Sequence, residues 1–141
     1  MSDIKLNCIL LVDDDSITNM YNEYMLKDAG FSDCIQIVQN GQEALDYLLN
    51  EGKYENNSSE FPRPDLILLD INMPVMDGFE FLEEYDKLPE NVKGKIVICM
   101  LTTSLLDSDM DRVNANVCVT EFIKKPLEIP ILEKVILEKI S

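Results

Sequence analysis

Three successive aspartates, Asp13-Asp14-Asp15, stand directly after the apolar run Ile9-Leu10-Leu11-Val12, and Asp70 ends a second such run, Leu66-Ile67-Leu68-Leu69. Two later apolar runs stop at Thr102-Thr103-Ser104 and at Lys124-Lys125-Pro126. Carboxylates packed together repel and raise one another's proton affinity, so a cluster of them is costly unless a cation neutralises it. Mg²⁺ takes oxygen ligands in octahedral geometry and keeps several waters. It therefore suits a site with few carboxylates and an open side better than a closed calcium cage does. An aspartate can also attack a phosphoryl group to give an aspartyl phosphate, while a metal and a lysine offset charge on the transferring group. Asp13 and Asp14, a close pair, suit the metal; Asp70 stands alone and is the better nucleophile. Lys125 adds a second positive centre, and the Thr102 hydroxyl can hydrogen-bond a phosphoryl oxygen.

Each piece alone has a plainer reading. Aspartates after a strand often cap a helix; Thr102-Thr103-Ser104 could be no more than a cap; Lys125 could be a surface lysine. What gives them weight is that they recur at strand ends.

The elements around them follow from hydrophobic patterning. Ile9 to Val12 is a short continuous apolar run, as expected of a strand buried on both faces. Ser16 is a plausible N-cap, Ile17, Met20, Tyr21, Tyr24 and Met25 recur at helical spacing, and Gly30 is a natural stop. Cys34 to Val38 reads as a second strand. After Asn40-Gly41, residues Ala44, Leu45, Leu48 and Leu49 form a helical stripe. Residues 52–64 are polar and end in two prolines, the pattern of an exposed loop. Leu66 to Asp70 is the third strand, with Phe79, Phe81, Leu82 and Tyr85 on the helix after it. Ile96 to Leu101 is the fourth strand, followed by a short helix over Leu105 to Val113. Val117 to Ile123 is the fifth strand, and Ile129 to Ile140 an amphipathic closing helix. Strands alternating with helices imply an α/β fold with a doubly wound parallel sheet and helices on both faces. Ligands bind such sheets at the carboxyl ends of the strands, so Asp13, Asp14, Asp70, Thr102 and Lys125 must converge on one edge.

Composition narrows the function classes. The 141 residues fit one domain, 1–141, and 46% hydrophobic content suffices for an ordinary core. With 27 acidic against 12 basic side chains the formal charge is −15, which disfavours direct binding of nucleic acid or an anionic membrane. No apolar run approaches the roughly 20 residues of a membrane span, and the amino terminus lacks the pattern of a signal peptide. A soluble cytoplasmic protein is expected. There is no histidine, so His-based triads are excluded. The four cysteines, Cys8, Cys34, Cys99 and Cys118, match no zinc spacing and read as core thiols rather than disulfides.

At these residues the sequence resembles the response-regulator receiver family, across essentially the whole chain. Ile9-Leu10-Leu11-Val12-Asp13-Asp14-Asp15 is similar to that family's acidic first-strand motif. Leu68-Leu69-Asp70-Ile71-Asn72-Met73-Pro74-Val75-Met76-Asp77-Gly78 resembles its phosphoacceptor motif, and Phe122-Ile123-Lys124-Lys125-Pro126 its lysine and proline segment. The resemblance implies a flavodoxin-like (βα)5 fold with five strands in the order 2-1-3-4-5. It implies that Asp13 and Asp14 hold Mg²⁺, that Asp70 accepts the phosphoryl group, and that the Asn72 backbone carbonyl completes the metal ligands. It makes Lys125 the pattern's cation, Thr102 the switch hydroxyl and Phe122 the aromatic residue that rotates with it. Asn72 and Ser104 fall at positions flanking the path of the attacking water. Two positions depart from the pattern: Thr103 stands where a small residue is usual, and Asn116 where Gly is common. Asn tolerates the left-handed conformation, and Thr103 keeps its backbone N–H.

The expected function is a phosphorylation-controlled switch in two-component signalling, with a histidine kinase or histidine phosphotransfer protein as donor and output through a partner protein. On this expectation the chain is a self-phosphorylating and self-dephosphorylating switch, not a turnover enzyme. The alternative is a small Mg²⁺-dependent phosphatase with an aspartyl nucleophile, but Asn72 stands where such an enzyme wants an acidic residue. A nucleotide- or flavin-binding module would want a Gly-rich phosphate loop after the first strand, where Asp13-Asp14-Asp15 repels phosphate instead.

Overall fold

A computed structural model describes residues 4–52, 62–70, 76, 78–90, 96–101, 121–124 and 127–140. Five strands, β1 (Ile9–Val12), β2 (Ile35–Val38), β3 (Leu66–Asp70), β4 (Ile96–Leu101) and β5 (Glu121–Lys124), form one sheet in the order β2-β1-β3-β4-β5. All four pairings are parallel, so every carboxyl end lies on one edge. Four helices are described: α1 (Ser16–Ala29), α2 (Gly41–Leu49), α3 (Gly78–Asp86) and α4 (Ile129–Ile140). The strand order and the doubly wound class match the sequence expectation.

Strand side chains alternate between faces, and here the alternation divides the core in two. Leu10, Val12, Ile67 and Leu69 point to one face and pack with Ala44, Leu48, Phe81 and Tyr85 of α2 and α3. Ile9, Leu11, Leu66 and Leu68 point to the other and pack with Leu26 of α1 and Leu132 and Ile136 of α4. Burying one such side chain is worth about 1.5–3 kcal/mol, so each face supplies ample reason for a continuous apolar strand.

The helix boundaries differ in detail from the sequence reading. The N-cap of α1 is Asp15, not Ser16: its carboxylate accepts from the Ile17 N–H, and Ser16 is the first helical residue. Gly30 ends the helix as expected, in the left-handed region at φ 76°, with its N–H closing the last turn. Of the residues that mark α1 as a helix by their spacing, only Met25 packs against the core. Ile17, Met20, Tyr21 and Tyr24 are exposed, whereas Asn19, Asn22 and Leu26 are buried. The described part of the fifth strand is Glu121–Lys124; the expected 117–120 portion lies outside the described residues, as do the helix expected over Leu105 to Val113 and most of the 52–64 loop. Among the described residues no helix is long and apolar enough to cross a membrane.

Candidate phosphoacceptor and metal site

Val12 pairs with Leu69 in the β1–β3 ladder, so Asp13 and Asp70 are the next residues on two adjacent strands at the carboxyl edge. They also share the parity of Ile9, Leu11, Leu66 and Leu68 in the alternation of side chains. Register and parity together bring these two carboxylates to one place. Asp13 and Asp70 are each only 4% exposed, and Asp14 is exposed beside them. One ligand oxygen from each of the three lies within 4.8 Å of the others.

The turn after β1 is fixed residue by residue. The Asp13 N–H donates to the Val38 carbonyl at 3.1 Å, which ties it to the end of β2. Its Oδ1 accepts the Asp15 N–H at 2.9 Å, and its carbonyl accepts Asn19 Nδ2 at 2.8 Å. Asp15 turns the other way, with Oδ1 on the Ile17 N–H and Oδ2 on the Thr18 hydroxyl. The acidic triplet thus divides its labour: Asp15 caps α1, and Asp13 and Asp14 are left to the cluster.

A carboxylate cluster with two buried members fits a hard divalent cation. Three oxygens within 4.8 Å of one another can close on one small octahedral ion by turning their side chains inward, and the exposed side at Asp14 leaves room for water ligands. Asp13, Asp14 and Asp70 would hold Mg²⁺ here.

The other residues expected at the site fall differently. Asn72, Thr102, Ser104 and Lys125 lie outside the described residues. Their chain neighbours are placed: Asp70 pairs with Met100, and Leu101 pairs with Lys124, at the same edge as the cluster. Phe122 lies in the β5 backbone, paired with Cys99.

Two features escaped the sequence reading. Asn19 is 3% exposed, and its Oδ1 has no hydrogen-bond partner among the described residues, an arrangement that costs about 1–3 kcal/mol for a buried polar atom. Its amide nitrogen holds the Asp13 carbonyl, so it is a positioning residue for the acidic turn; the signal for it was a polar residue on the inner side of an otherwise ordinary helix. The second is Gly41, whose N–H donates to the Met76 carbonyl at 3.1 Å and so ties Met76 to the start of α2.

Comparison with known proteins gives a consistent result. The family model described as "Response regulator receiver domain" matches residues 9–137. The response regulator Rcp1 of Synechocystis is 36% identical over 102 residues, which span 72% of this chain and 65% of Rcp1, a little under two thirds of that relative. A probable methanogenesis regulatory protein of Methanothrix harundinacea, FilR2, is 34% identical over 92% of this chain and 79% of its own length. Among solved structures, the phosphorylated cyanobacterial phytochrome response regulator RcpA superposes with a TM-score of 0.72 at 32% identity, covering 92% of this chain and 88% of that one.

Proposed function

Since the chain belongs to the response-regulator receiver domain family of two-component signalling, we propose that it is a switch that takes a phosphoryl group onto Asp70 in a Mg²⁺-dependent reaction. The observation that carries this reading is the convergence of Asp13, Asp14 and Asp70 at the carboxyl edge, two of them buried. The donor is a phosphohistidine on a histidine kinase or a phosphotransfer protein. An Asp70 oxygen attacks phosphorus, the P–N bond breaks, and the electron pair leaves with the imidazole nitrogen. Bound Mg²⁺ supplies compensation for charge on the phosphoryl oxygens. That the similar response regulator RcpA was solved in a phosphorylated form supports a phosphorylated state of this chain.

The remaining roles rest on the family pattern. Lys125 offsets phosphoryl charge, the Asn72 carbonyl completes the metal ligands, and Thr102 with Phe122 passes the change to the surface as a population shift between two states. Asn72 and the small, neutral Ser104 leave water access open but activate it weakly, which sets an intermediate lifetime for the phosphorylated form. The chain acts as a cytoplasmic switch with output through a partner, not as a turnover enzyme. A protein donor also needs a footing beside Asp70, and α1 presents Ile17, Met20 and Tyr24 to solvent starting just after the acidic turn.

Phosphotransfer tests this. Labelled phosphate on a histidine phosphotransfer protein should move to this chain with Mg²⁺ and stay on the donor with a chelator. Met20→Asp should slow that transfer by about tenfold, the scale of one interface anchor, while leaving labelling by a small acyl phosphate intact. Steady hydrolysis of generic phosphate esters with no labelled protein would instead favour a phosphatase.

A further inference from the structure

The edge of the sheet opposite the carboxylates holds a pair of thiols. Cys8 immediately precedes Ile9 and Cys34 immediately precedes Ile35, and Ile9 and Ile35 are register partners of β1 and β2. The Ile9 N–H donates to the Cys34 carbonyl at 2.9 Å, so the ladder continues to the cysteines. Their sulfurs lie 2.8 Å apart, with both thiols free. Adjacent strands run about 4.8 Å apart, within the Cα separation a disulfide spans, and the S–S bond itself is about 2.0 Å long. Closing it needs a movement of under about 1 Å shared between two side chains.

We propose that Cys8 and Cys34 form a reversible disulfide site, closed by a hydroperoxide, that ties β1 to β2 at the sheet edge remote from Asp70. The two sulfurs have different access: Cys34 is half-buried, whereas Cys8 is fully buried. Cys34 is therefore the sulfur that meets the oxidant. Its thiolate attacks one oxygen of hydrogen peroxide, the O–O bond breaks, and the departing hydroxide takes a proton to become water, leaving a sulfenic acid on Cys34. The Cys8 sulfur then attacks the Cys34 sulfur, the S–O bond breaks, and the hydroxyl leaves with the Cys8 proton as a second water. In sum two thiols are oxidised by two electrons, and one peroxide is reduced to two waters.

Cys8 is a thiol held in reserve. Burial, reinforced by the Cys34 thiol against it, pushes it up from 9.0 to about 12. The contribution of Cys34 as a thiol or thiolate ends when that residue becomes a neutral sulfenic acid, so oxidation at Cys34 itself eases the second step. The bridge would enclose α1 and the acidic turn within one covalent loop.

The test uses the full chain, reduced, freed of reductant, exposed to about one equivalent of hydrogen peroxide and then alkylated. The expected product has lost two hydrogens, keeps two alkylatable thiols of its four, yields a linked peptide pair containing Cys8 and Cys34, and regains four on reduction. Cys8→Ser should instead stop at a sulfenic acid on Cys34, trapped by a 1,3-diketone. Four thiols still alkylatable, a bridge to Cys99 or Cys118, or a bridge between two chains would each overturn the proposal. The mapping of the unsubstituted chain decides it even if the variant does not fold.

Discussion

Gly41 and Met76 meet so closely that no methyl group fits between them. A Cβ on Gly41 would lie 2.8 Å from Met76 Cγ and 3.0 Å from the Met76 carbonyl oxygen, the same oxygen that accepts the Gly41 N–H. The first turn of α2 is thereby fastened to Met76. Nothing about the Gly41 backbone requires glycine; the requirement comes from its neighbour.

Gly41→Ala should therefore destabilise the fold by about 1–3 kcal/mol, the range for overpacking, although alanine is the better helix former. Urea unfolding of the variant measures it, and unchanged or increased stability would show that the contact yields freely.

Asp14→Asn separates metal binding from folding. Like charges in the cluster repel, so the variant should be more stable than the natural chain without Mg²⁺. Added Mg²⁺ should raise the melting temperature of the natural chain, since a ligand that binds only the folded state stabilises it, and should raise that of the variant much less. An equal rise in both would remove Asp14 from the metal site.

Cys8 gives the protein an alkaline limit. Its pKa is about 12 in the fold against 9.0 for the ordinary thiol, chiefly through burial. The folded state thus keeps its proton where the unfolded state loses it. That contribution is fully present below pH 9 and is lost progressively as pH rises from about 9 to about 12. Stability measured across that window should fall less steeply in Cys8→Ser. Parallel curves would assign the alkaline loss to other groups.

Much of this fold is written in runs of apolar residues. β1, β3 and β4 occupy the stretches that continuous hydrophobicity marks; in β1 and β3, covered on both faces, no polar position is left to blur the pattern. Asp13, Asp14 and Asp70 were legible because each breaks such a run. The inner face of α1 was not. Periodicity identifies a helix but assumes that its apolar side is buried, and α1 buries Asn19 and Asn22 while exposing Ile17 and Met20. Asn19 is inside for the sake of the Asp13 carbonyl. Asp15 was hidden within its own triplet, since only the hydrogen bonds tell a cap from a ligand. The contact of Gly41 with Met76 and that of Cys8 with Cys34 arise from register and packing between segments far apart in the chain, which no local pattern encodes.

Whether the carboxylate cluster makes Asp70 a phosphoacceptor is decided by intact mass spectrometry after incubation with a small acyl phosphate and Mg²⁺. The natural chain should gain one phosphoryl group, none when Mg²⁺ is chelated, and Asp70→Asn should gain none with Mg²⁺ present. A natural chain that gains no phosphoryl group, or an Asp70→Asn variant that gains one as readily, would overturn the assignment of Asp70.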